Sequence, residues 1–160
     1  IDDTIRLRNK YCPQAKISVL SNSTFIHRPK IHEALSKVDN NILKLDTINT
    51  EYINKVDRPT QPSYDVHHII ADIKAFNGQA IIQTMFLKGT TEDGYDVNNT
   101  TEEFVAPWLE VVKEIGPREV MIYTIDRETP DQHLQKATHE ELDAIRDRVI
   151  ALGIPCTASY

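Results

Sequence analysis

The stretch from Asn41 to Asp46, NILKLD, admits few conformations. In a strand alternate side chains share a face, so Leu43 and Leu45 look one way while Ile42, Lys44 and Asp46 look the other. One face is greasy, and the other ends in a cation and an anion. A surface strand gives the same alternation, but the neighbouring segments also read as strands followed by helices. That pattern suggests a parallel sheet with its outer face under helices. The charged face then points into a barrel or cleft. Burying an unpaired charge costs several kcal/mol, so Lys44 and Asp46 are expected to be paired, solvated in a cavity, or bound to a ligand.

Four further runs share this strand character: residues 16–21 (KISVLS), 79–87 (QAIIQTMFL), 119–126 (EVMIYTID) and 154–160. Helical signals fall between them. Residues 2–11 read as the end of a helix, with Ile5 and Leu7 as its apolar positions. Pro29, at a first helical position, opens an amphipathic segment to Val38. Val66, Ile69, Ile70, Ile73 and Phe76 recur at helical spacing until Asn77-Gly78 stops the helix. Thr100-x-x-Glu103 and Thr138-x-x-Glu141 read as capping boxes, opening helices that end at Ile115 and near Leu152-Gly153. Residues 52–63, with Pro59 and Pro62, are predicted to be largely loop, and residues 88–99 an acidic, glycine-containing loop. Repeated β-α units make this an α/β chain with a parallel sheet.

At 160 residues and 40% apolar content the chain suits one domain with a sizeable core. A net charge of -6 argues against a broad phosphate-binding surface. No apolar run approaches the roughly 18 residues of a membrane helix, and no charged-then-apolar leader opens the sequence, so a cytoplasmic protein without membrane contact is expected. Cys12 and Cys156 lack a partner at metal-ligand spacing and read as ordinary thiols. The histidines are likewise not spaced as ligands, so no metal residues are predicted. The acidic loop EDGYDVNN, residues 92–99, does not have the spacing of a calcium loop.

In β-α folds the active site lies at the carboxyl ends of the strands. With the greasier faces given to the helices, Ser18, Leu20 and Asn22 point inward on the first strand, Lys44 and Asp46 on the second, Gln83 on the third and Tyr123 on the fourth. A polar group on each strand points to a ligand cavity; the alternative is a buried hydrogen-bond network. Two loops repeat an Asp-Arg pair, Val56-Asp57-Arg58-Pro59 and Ile125-Asp126-Arg127-Glu128. Arginine grips carboxylate or phosphate in bidentate fashion, and local ion pairing explains such pairs equally well.

The phrases SVLSNST, ILKLDTINTEYINKVDRPT, IIQTMFLKG and VMIYTIDRETP, in this order, resemble the later strands of a radical S-adenosylmethionine (SAM) protein. Within that superfamily the chain is similar to the single-domain iron-sulfur oxidoreductases grouped with the wyosine-synthesising tRNA enzymes. The resemblance implies the later part of a partial (β/α)6 TIM-like barrel, with SAM lying across the strand ends. It also implies a 4Fe-4S cluster held by a Cys-x3-Cys-x2-Cys loop, and a Gly-Glu-Pro-type loop that meets the methionine amine. Neither motif stands in this sequence, so the expectation is a C-terminal fragment that holds no cofactor and is inactive alone. The intact parent would cleave SAM reductively to a 5'-deoxyadenosyl radical that abstracts hydrogen from a small-molecule or modified-RNA substrate. Its electron would come from a reductant such as flavodoxin or ferredoxin.

By the same resemblance Asn22, Lys44, Asp46 and Gln83 fall at the ribose and methionine parts, and Tyr123 at the adenine or the substrate. Arg58, Asp126 and Arg127 lie on the rim that suits substrate. Two alternatives stay open: a cluster-free adenosine- or SAM-binding module, and a small barrel lyase or isomerase using Lys44 and Asp46 as an acid-base pair. An unfinished barrel also leaves an edge at residues 16–21 through which a homodimer would form.

Overall fold

A computed structural model describes residues 1–127, 129 and 131–160. Helix α1 (Asp2–Tyr11) leads to β1 (Ser18–Ser21), α2 (Pro29–Leu35) and β2 (Asn40–Lys44). A short turn of helix, α3 (Thr50–Tyr52), runs into a π-helix at Ile53–Asp57, then α4 (Val66–Lys74) and β3 (Ile81–Met85). Next come β4 (Leu87–Gly89), α5 (Glu102–Ile115), β5 (Glu119–Tyr123), β6 (Leu134–Lys136), α6 (His139–Ala151) and β7 (Cys156–Ser159). Five strands form one sheet in the order β1-β2-β3-β5-β7, and every neighbouring pair is parallel. This is the α/β arrangement of a partial TIM-like barrel.

The register separates two faces. Lys44 pairs with Gln83, Gln83 with Met121, and Met85 with Tyr123, so these side chains share a face. On the other face Leu43, Leu45, Ile82, Val120 and Ile122 join Ile73 of α4, Val112 of α5 and Leu142 of α6 in one core. Each such aliphatic side chain contributes about 1.5–3 kcal/mol on burial. Trp108 of α5 lies at the centre, 1% exposed. It meets Phe86 edge-on at 5.4 Å, and its indole N–H donates to the Leu45 carbonyl at 3.2 Å, so its one polar atom is satisfied. The opposite face is barer: Leu20 is 64% exposed. Helix α1 buries no residue and is tied down by Arg8 donating to Asp39 at 2.9 Å.

A two-stranded antiparallel ribbon, β4 with β6, sits beside the sheet's C-terminal ends. Its Leu87 packs with Tyr52 and Val97 in a second, smaller core. Gly89 permits the ribbon. Its φ of +99° and a virtual Cβ only 2.1 Å from the His133 carbonyl leave no room for a side chain.

Several sequence expectations need correction. Residues 52–63 are loop only in their second half, because Thr50–Tyr52 and Ile53–Asp57 are helical. Asn49 caps that turn by accepting the Tyr52 N–H at 3.0 Å, and burial of Tyr52 and Ile53 holds it in place. The first capping box is absent: Thr101 is the N-cap and makes no side-chain cap bond, while the Thr100 hydroxyl donates to Asn98 Oδ1 at 2.8 Å. The second is present, with Thr138 Oγ1 accepting the Glu141 N–H and Glu141 Oε2 accepting the Thr138 N–H. The third strand stops at Met85, because Leu87 turns its N–H to Asn99 Oδ1 at 2.8 Å and enters the ribbon. The fourth stops at Tyr123, since Thr124 Oγ1 instead accepts the Ala137 N–H at 2.9 Å.

Candidate ligand-binding site

A cavity of about 540 Å³ opens beyond the carboxyl ends of β1, β2 and β3. Asn22, Lys44, Asp46 and Arg58 all line it, together with Asp57 and Tyr64. Each arrives there for a local reason. Leu43 and Leu45, locked into the helix-side core, turn Lys44 to the bare face. Ser23, buried with a left-handed φ of 66°, donates its hydroxyl to the Lys44 carbonyl at 2.9 Å. That bond pins the turn after β1 against β2. Asn22 closes the turn by accepting the Thr24 N–H at 3.2 Å.

Lys44 Nζ stands 3.1 Å from Asp46 Oδ2, with 33% of the lysine side chain exposed but only 8% of the aspartate. The other carboxylate oxygen accepts the Met85 N–H at 2.7 Å. Burial raises the Asp46 pKa, and Lys44 and the Met85 amide pull it back. For Lys44 burial acts downward, but Asp46 and then Tyr123 outweigh it and raise the lysine. The two directions are compatible: one measures the cost of placing a carboxylate here, the other the benefit of its charge to the ammonium. Both oxygens of Asp46 are engaged, so its role is to hold Lys44, whose ammonium keeps further donors for a ligand.

The π-helix supplies the wall opposite. Its last bond runs from the Arg58 N–H back to the Ile53 carbonyl at 2.9 Å. Pro59 disfavours the right-handed helical region for Arg58, which instead adopts φ 48°, ψ 58° and donates Nε–H to the Lys55 carbonyl at 2.9 Å. Single π-turns inside helices occur often at functional sites. Asp57, its last residue, is pushed up to about 7, first by desolvation and then by the Asp46 charge, with Lys44 acting the other way. The residue is exposed at the cavity mouth, so water reaching it tempers that shift. Tyr64 is raised by burial, then by Asp57 and Asp46.

Gln83 and Tyr123 share the face of Lys44 but do not line the cavity; Tyr123 acts there through Lys44, whose pKa it raises. Asp126 and Arg127 follow β5 and are exposed, outside this cavity. Asp126 accepts from Lys136 Nζ at 3.3 Å. Sequence reasoning thus finds four lining residues and misses Ser23, Tyr64 and Asp57 as a group separate from its arginine neighbour. Arg58-Pro59 carried a signal for Asp57: a residue that cannot continue a right-handed helix ends it, and displays the residue before.

Among the described residues no group of three or more His, Cys, Asp or Glu is arranged to hold a metal. Cys12 is exposed, and burial pushes the Cys156 thiol up to about 12, which disfavours the thiolate that metals require. Among the described residues no helix is long and apolar enough to cross a membrane.

No family model matches the chain. It is 30% identical over 116 residues to a Helicobacter pylori protein named "UPF0026 protein", and the same holds for that protein in a second strain. The match covers 70% of this chain and 34% of the relative, so the chain spans about a third of the length of the curated relatives it matches. Among solved structures it is similar to Streptococcus suis SuiB bound to S-adenosylmethionine, at TM-score 0.68 and 12% identity over 99% of this chain and 36% of that one. A radical SAM methyltransferase from Sphaerobacter thermophilus gives 0.64 and 14% over 90% and 40%. A domain of pyruvate-formate lyase-activating enzyme from Bacteroides vulgatus gives 0.63 and 13% over 99% and 91%. At these identities the likeness is one of fold, and the chain shares the parallel β-α fold of these proteins.

Proposed function

We propose that this chain is the later part of the partial barrel of a radical SAM protein, and that its cavity binds the nucleoside and amino-acid parts of S-adenosylmethionine. One observation carries the reading: Asn22, Lys44, Asp46 and Arg58 converge on one cavity beyond the strand ends, where β-α folds place ligands. About 540 Å³ falls within the range of pockets for molecules of this size. Likeness of fold to SuiB, solved with that cofactor, supports the same reading.

The chain's own residues fit SAM but not a 4Fe-4S cluster, whose three thiolates they do not supply. In this reading the cluster belongs to the remainder of a longer protein, and with it the subgroup, the substrate and the reductant. When bound, SAM supplies a positively charged sulfonium and a hydroxyl-rich ribose. Lys44, held by Asp46, donates to the carboxylate or to ribose oxygens; Asn22 offers a second polar contact; Gln83 and Tyr123 set the polarity beneath. Arg58 stands at the rim, where substrate would enter.

The test is calorimetric titration of the purified chain with S-adenosylmethionine and with 5'-methylthioadenosine, in iron-free buffer. Saturable one-to-one binding of both, weakened in Lys44→Met, is expected. Absence of binding by either compound would remove the reading.

A further inference from the structure

The nucleoside reading leaves one charged group of the cavity without a task. Asp46 is satisfied by Lys44 and the Met85 N–H, and the Arg58 Nε–H by the Lys55 carbonyl. Asp57 lines the same cavity and, among the described residues, makes no side-chain hydrogen bond or ion pair. The charges that act on it are Asp46, which repels it, and Lys44, which is already paired. It is the last residue of a π-turn whose next residue is left-handed, and that turn places its backbone at the cavity mouth.

We propose that Asp57 is the charge-reading residue of this cavity: its carboxylate selects a nucleoside ligand that carries a sulfonium over the same ligand as a neutral thioether. The inference rests on the nucleoside reading and adds the residue that tells the sulfonium from its neutral thioether counterpart. An ammonium asks for several acceptors in hydrogen-bond geometry. Beside Asp57 the other carboxylate is already occupied on both oxygens, which leaves one bare charge rather than a cage of acceptors. A sulfonium has no N–H to satisfy, and an unpaired carboxylate is the partner it needs. The groups facing Asp57 are Lys44 and Asp46 beyond β2, Tyr52 of α3, Arg58 next in chain and Tyr64 before α4. Of the two carboxylates that line the cavity, Asp46 is engaged on both oxygens while Asp57 has no side-chain partner among the described residues, so Asp57 carries the pH dependence. Desolvation and the Asp46 charge raise it, tempered by the water that reaches it at the mouth, so its attraction for a cation is fullest at high pH and weakens as pH falls.

The experiment is calorimetry on the 160-residue chain with S-adenosylmethionine, S-adenosylhomocysteine and 5'-methylthioadenosine, for the native protein, Asp57→Asn and Asp57→Ser. Circular dichroism confirms that the variants fold. The native chain is expected to favour the sulfonium over the homocysteine by about tenfold at pH 8, the effect of one partly solvated charge pair. That preference shrinks toward pH 6 and is absent in both variants at either pH. A preference unchanged in the variants, or a loss equal for both sulfur forms, would overturn the assignment while leaving the nucleoside reading intact. If none of the three compounds binds the native chain, both fall together.

Discussion

Replacing Lys44 by Met removes an ammonium while keeping most of its length, and leaves Asp46 with a single partner, the Met85 N–H at 2.7 Å. At 3.1 Å and an effective dielectric near 20, the direct attraction is about 5 kcal/mol. A third of the lysine side chain is exposed, so solvent screening and the desolvation already spent on both ions reduce this to about 2–3 kcal/mol of lost stability at pH 7.5. The loss has a sign in pH. Without Lys44 the folded-state pKa of Asp46, already raised by burial, rises further above its unfolded value. The folded state then holds a proton that the unfolded state has released, so its stability falls as pH rises through the gap. Lys44→Met is therefore expected to be least stable at pH 7.5 and to recover most of its deficit by pH 4.5. Urea denaturation at the two pH values measures this. Lys44→Met/Asp46→Asn, which removes the stranded charge, is expected to regain at least half the deficit at pH 7.5. Equal destabilisation at both pH values, or a double variant no better than the single one, would refute the pairing.

Three further perturbations test the frame around the site. Thr138→Ala removes the cap from α6 and is expected to cost about 1 kcal/mol by thermal or urea unfolding. Gly89→Ala forces a side chain at φ +99° into the His133 carbonyl. It is expected to cost about 2–4 kcal/mol and to raise amide exchange in residues 87–89 and 134–136 before the main sheet. Trp108→Phe keeps an aromatic ring edge-on to Phe86 but loses indole volume and one donor to Leu45; the Thr84 hydroxyl still serves that carbonyl at 2.8 Å, so the expected loss is about 1–2 kcal/mol.

The alternation in NILKLD announced the main division of the molecule, because a period of two has one reading once the helix side is known. Leu43 and Leu45 are core, and Lys44 and Asp46 meet as a pair. The five parallel strands followed from β-branched runs separated by helical periodicity. Strand ends were harder. Whether residue 87 or 124 stays in the sheet depends on groups well removed in sequence, the Asn99 side chain for one and the Ala137 backbone N–H for the other, and no local pattern carries that. The π-turn was hidden for a different reason: two prolines downstream signalled loop, while the contacts that keep residues 50–57 helical are tertiary, above all the Tyr52 hydroxyl donating to the Val97 carbonyl at 3.2 Å. The repeated Asp-Arg pairs looked alike in sequence and diverge in the structure. One stands behind a π-turn on the cavity, and the other follows β5 outside it.

Where the sheet ends, it also makes its site. A parallel strand leaves backbone donors at its carboxyl end that need partners. The Leu45 N–H still reaches the Gln83 carbonyl at 3.1 Å, but beyond it no strand partner for the Met85 N–H remains on β2. The Asp46 side chain takes that place, and in doing so turns its second oxygen to Lys44. The ion pair is thus a continuation of the ladder by a side chain, and its charge is fixed by the same bond that finishes β3. A ligand that displaced Asp46 would leave the Met85 amide bare at a cost of about 1–3 kcal/mol. In the proposed reading a ligand would bind against the pair and not in place of it, with the Lys44 ammonium, the Asn22 amide and the Asp57 carboxylate as the lining groups left to meet it.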